Sequence, residues 1–129
     1  MRLDTFQELL TGTGQRLLAD AMLAYADGPL PASNRLARTY APDLVAAALT
    51  QVALRHRAVT KFGPAASAMY FTSAGLEQAT APRVAEHRAA RIAAASPSGV
   101  LDCGCGIGGD LLALGRAGLT VAGVDKDPV

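Results

Sequence analysis

Apolar positions along the chain follow a helical period in one stretch and a strand-like run in another. From Gln15 to Ala26, Leu17, Leu18, Ala21, Met22 and Tyr25 recur at the spacing of an amphipathic helix, and Gly28-Pro29 ends the run. A second short helix is expected over Ser33 to Tyr40. A long one starts at Pro42, whose missing N–H suits a first helical turn, and stops at Gly63-Pro64. On that helix Leu44, Val45, Ala48, Leu49, Val52 and Val59 share a side, while Arg55, Arg57 and Lys61 fall mostly elsewhere and read as a solvated basic face. Met69-Tyr70-Phe71 reads as a short extended segment. Thr72 or Ser73 caps a brief helix through Gln78, and Thr80 caps the next, which has Pro82 in its first turn and runs to about Ala95.

The pattern changes at the turn cluster Ser96-Pro97-Ser98-Gly99. Val100 to Cys103 is a short apolar run leading into Gly104-Cys105-Gly106-Ile107-Gly108-Gly109. Asp110 to Ala117 follows as a helix with Leu111, Leu112 and Leu114, Gly118 stops it, and Leu119 to Val124 forms a second strand. Strand, glycine loop, helix and strand make the opening βαβ unit of a doubly wound parallel sheet. The expected fold is therefore a mainly α N-terminal domain over residues 1–96, then the start of an α/β Rossmann-like fold over 97–129. An open sheet usually has about four to six strands, so the unit reads as incomplete, with exposed strand edges through which copies can self-associate.

Composition narrows the setting without choosing a partner. Half of the 129 residues are apolar, enough for one modest core, and 12 Lys and Arg nearly balance 11 Asp and Glu. Bulk charge therefore exerts no strong pull toward nucleic acid or an anionic membrane. No run approaches the roughly 18 to 20 apolar residues a membrane span needs, so secretion and membrane insertion are not expected. Cys103 and Cys105 are too close for an ordinary disulfide and have no histidine nearby to complete a metal site. They read as small packing side chains in a reducing cytoplasm. His56 and His87 stand isolated, and no metal site is expected.

The glycine loop carries the chemistry. Gly104, Gly106 and Gly109 fit the dinucleotide pattern G-x-G-x-x-G, while Gly104, Gly106 and Gly108, with Asp102 two residues before, fit the methyltransferase pattern. Both need glycine for the same reason: without a Cβ, ligand can reach backbone N–H groups at a helix N-terminus. The carboxylates favour one ligand. Asp102 and Asp110 flank the loop and would repel a pyrophosphate, whereas S-adenosylmethionine brings an ammonium, a sulfonium and one carboxylate. Asp102 would then face the cationic methionine moiety, and Asp125 after the second strand would accept from ribose hydroxyls, a role it would also play with a dinucleotide. An NAD- or FAD-binding oxidoreductase, and a non-enzymatic helical interaction module with a vestigial loop, remain as alternatives.

The run Val100 to Asp110, followed by Asp125-Lys126-Asp127-Pro128, resembles the first two cofactor motifs of class I, Rossmann-fold methyltransferases dependent on S-adenosylmethionine. From about Lys61 onward the chain is similar to trimethylguanosine synthases, with Tyr70-Phe71-Thr72-Ser73-Ala74-Gly75 in the place of their aromatic-Ser-x-Thr-Pro-Glu segment. Over its whole length it resembles bacterial methyltransferases that have a helical region before the catalytic fold and a THUMP-like domain after it. The resemblance implies that Phe71 and Thr72 pack on or hydrogen-bond the cofactor, that Lys61 lies near the same pocket, and that RNA is the methyl acceptor. Ala74-Gly75 replaces Pro-Glu, so cap specificity is not carried over. Acceptor and catalytic residues would belong to later strands, and the 129-residue chain alone is expected to be catalytically silent.

Overall fold

The computed structural model describes residues 2–126, which pack as two compact units dividing between Arg57 and Ala58. Asp127 and Pro128, part of the second cofactor motif in the resemblance, lie outside the described residues.

The first unit is helical: α1 (Leu3–Leu9), α2 (Gly12–Ala24), α3 (Pro29–Leu36) and most of α4 (Pro42–Phe62). α1 was not apparent from periodicity, being only two turns long. It folds back on α2 through Thr11, whose hydroxyl accepts from Gly14 N and donates to Glu8 O. A side chain at Gly14 would collide with the backbone of Glu8 and Leu9, so glycine is what lets these helices meet so closely. α3 starts four residues before the expected Ser33. Gly28, at φ +98°, turns the chain so that Pro29 takes the first helical position, where a missing N–H costs nothing.

Leu44, Val45, Ala48 and Val52 of α4 are buried as expected, but Arg55 is buried too and Val59 is exposed. Arg55 lies three residues after Val52 and seven after Ala48, on the stripe it was expected to avoid. Tyr25 and His56 meet edge to face at 5.1 Å, and Tyr40 donates to Asp20 at 2.7 Å.

The second unit holds the last turn of α4, α5 (Ser73–Gln78), α6 (Pro82–Ala94), β1 (Val100–Cys103), α7 (Gly109–Arg116) and β2 (Val121–Val124). β1 and β2 pair in parallel, Val100 opposite Val121 through Cys103 opposite Val124. The small side chains Ala85 and Ala89 of α6 allow close packing on Ala113 and Leu114 of α7, with Ile92, Val100, Leu119 and Val121 around them. Composition changes at Ser96, but this packing runs across the change. α7 thus covers one face of the strand pair. On the other face Leu101 is 60% and Val124 54% exposed, beside exposed Cys103 and Ala122. Among the described residues no helix is long and apolar enough to cross a membrane, and no three His, Cys, Asp or Glu side chains cluster to hold a metal.

Candidate functional site

The parallel register places the ends of β1 and β2 side by side, and the glycine loop folds over them. Gly104 N and Cys105 N both donate to Val124 O, at 2.7 and 3.1 Å. Gly108 N then donates to Cys105 O at 2.9 Å, and Gly108 precedes the first turn of α7. Gly104, Gly106 and Gly108 sit at φ +96°, +51° and +79°, a region that disfavours residues with a Cβ. A Cβ added at Gly104 or Gly106 would meet nothing within 4 Å. The glycines therefore provide both the turn and open space above the backbone.

The loop's own bonds use up most of its donors. Gly106 N donates to Asp125 Oδ2 at 2.7 Å, so the residue expected at the ribose also ties down the loop. The N–H groups of Ile107, Gly109 and Asp110 have no hydrogen-bond partner among the described residues and remain available at the start of α7. Asp102 is half-buried, and its carboxylate likewise has no partner among the described residues.

Asp110 does not face the loop opening as a bare charge. Its Oδ2 accepts from Thr80 Oγ1 at 2.7 Å and its Oδ1 from Arg88 at 2.6 Å, joining the start of α7 to α6. The expected repulsion of a pyrophosphate by Asp110 is therefore offset by Arg88. Thr80 makes this bond instead of capping α6, which begins without a side-chain cap. Neither contact was visible in sequence, since the partners are 30 and 22 residues apart.

Of the three residues named through the resemblance, Lys61 lies on α4, Phe71 just before α5 and Thr72 at its N-cap. Phe71 is only 2% exposed and packs on Phe62, ring centroids 5.8 Å apart. Thr72 caps α5 by accepting from Gly75 N at 3.0 Å. Lys61 Nζ donates to Leu76 O at 3.0 Å and borders a cavity of about 230 Å³ with Thr80, Glu86, Arg116 and Gly109 of the loop; Gly104, Gly106 and Asp125 are not among its walls. The segment also approaches the loop: a Cβ on Gly75 would lie 2.5 Å from Ile107 Cγ2. A glycine in the first turn of a short helix leaves room for that approach. Cys105 packs on Gly123, where an added Cβ would come within 2.9 Å of its sulfur.

A family described as a domain of unknown function (DUF8688) matches residues 2–58, close to the limits of the first packing unit. The chain is also similar to an uncharacterized S-adenosylmethionine-dependent methyltransferase of Mycobacterium tuberculosis, in two strains. Identity is 42% over 81 residues, covering 59% of this chain and 22% of the relative. The chain thus spans about a fifth of the length of the curated relatives it matches. No solved structure matches it.

Proposed function

We propose that residues 97–129 begin a Rossmann-like S-adenosylmethionine-binding fold and that the protein is a class I methyltransferase. The observation that carries this reading is the loop over the parallel strand ends, with three left-handed glycines and open space at Gly104 and Gly106. The mycobacterial relatives, named for dependence on this cofactor, support it. Bound there, the cofactor supplies an electrophilic methyl group. Asp102 faces its cationic methionine moiety, and the N–H groups of Ile107, Gly109 and Asp110 take its carboxylate. Asp125 accepts from the ribose hydroxyls. Phe71 and Thr72 against the cofactor, and Lys61 near the same pocket, belong to the proposal through the resemblance alone.

The domain reading is part of the proposal: residues 1–96 are a helical N-terminal domain, with α5 and α6 laid on the catalytic fold. RNA as acceptor and a THUMP-like domain come from the resemblance alone, and a cytoplasmic setting from the cysteine usage. The second reading, a dinucleotide-binding oxidoreductase, draws on the neutralised Asp110 and the free N–H groups, which suit a pyrophosphate equally well. Ligand-dependent melting separates the two. S-adenosylhomocysteine should raise the melting temperature and NAD should not; the reverse result would favour the oxidoreductase, and no shift with either would favour an interaction module.

A further inference from the structure

A loop with three left-handed glycines has the most backbone freedom to lose, so what fixes it decides how ready it is for ligand. Three of its restraints are backbone bonds: Gly104 N and Cys105 N to Val124 O, and Gly108 N to Cys105 O. They hold the two flanks. The middle of the loop, Gly106, is held by a side chain: Asp125 Oδ2 at 2.7 Å, a charge-assisted bond from a residue that directly follows β2.

We propose that Asp125 is a positioning residue for the glycine loop, a latch that holds Gly106 N–H before any ligand arrives. With Gly106 N–H turned to β2, the ligand's carboxylate is left to Ile107, Gly109 and Asp110. A carboxylate has acceptor sites beyond the one Gly106 uses, so latching does not preclude a bond to ribose. The consequence is specific. Removing Asp125 weakens ligand binding through the loop as well as through any ribose contact, so part of the loss survives when the ribose hydroxyls are absent. This ligand consequence rests on the cofactor reading above; the latch itself does not.

The test combines amide hydrogen exchange in the ligand-free protein with binding of two probes, S-adenosylhomocysteine and its 2′,3′-dideoxy analogue. In Asp125→Ala, exchange at Gly106 should rise roughly ten- to hundredfold, the scale of a lost hydrogen bond to a charged acceptor. Amides in β1 and α7 should keep wild-type rates, and Asp125→Asn, which retains a carbonyl acceptor, should recover much of the Gly106 protection. Asp125→Ala should also weaken binding of the dideoxy analogue severalfold. Unchanged Gly106 exchange in the alanine variant would overturn the latch, as would faster exchange spread evenly through β1 and α7 with no recovery in the asparagine variant. An alanine effect on S-adenosylhomocysteine that vanished for the analogue would reduce Asp125 to a ribose contact. If neither probe bound the wild type, the cofactor reading would fall, and the exchange rates alone would decide the latch.

Discussion

Glycine serves opposite purposes at different positions of the second unit, and substitutions should separate them. At Gly106, φ is +51° and the added Cβ meets open space, so a side chain strains the backbone without colliding with protein. Gly106→Val should leave the chain folded, lower its stability by about 1 to 3 kcal/mol, and abolish S-adenosylhomocysteine binding. Calorimetry checks this, and unchanged affinity would remove the loop from the ligand site. At Gly75 the backbone is helical but Ile107 Cγ2 is in the way. Gly75→Ala should cost about 1 to 3 kcal/mol by overpacking, and Ile107→Ala in the same chain should relieve the part due to Ile107, while the approach to Thr72 Oγ1 at 2.9 Å stays. Additive losses in the double variant, measured by urea denaturation, would show that the two do not touch. The loop glycines were legible because their spacing is local. Gly75 was less so, since the side chain it accommodates is 32 residues further along.

The pairing of α6 with α7 depends on alanines and on one carboxylate. Asp110 is mostly covered and holds both Thr80 and Arg88, but Arg88 is half exposed, so solvent screens its share. Asp110→Asn should therefore destabilise by only about 1 to 2 kcal/mol. The loss should shrink in high salt, read from denaturation midpoints with and without added salt; a salt-independent loss would assign the effect to the Thr80 bond. Helix and strand types followed the hydrophobic pattern closely for α4, α6, α7, β1 and β2. The differences have identifiable causes, one local and one long-range. Gly28 and Pro29 shifted α3 toward the N-terminus, and Thr80 joined a tertiary network in place of a cap. Arg55 sat on the apolar stripe because position along a helix, not residue type, decides which side is covered.

In the molecule as a whole, the change of composition and the change of packing do not coincide. Alanine-rich sequence gives way to glycine-rich sequence at Ser96, yet α6 packs on α7 beyond it, while the matched family ends at residue 58. Sequence patterning reports local structure; which helices share a core is a long-range outcome that one chain's pattern does not carry. The sheet face bearing Leu101, Cys103, Ala122 and Val124 is apolar and exposed. Such a face promotes association, so sedimentation should be concentration-dependent, and Leu101→Lys with Val124→Lys should abolish that dependence. A wild-type protein monomeric at every concentration would contradict it.

On the proposed function, the glycine loop between β1 and α7, with Asp102 and Asp125, receives S-adenosylmethionine. Titration of the isotopically labelled protein with S-adenosylhomocysteine, followed through backbone amide resonances, tests it most directly. Saturable shifts should centre on residues 104–110 and Asp125, with Ile107, Gly109 and Asp110 moving most, and NAD at equal concentration should leave them in place. Saturable shifts from NAD alone, or S-adenosylhomocysteine shifts that spare the loop, would contradict the account.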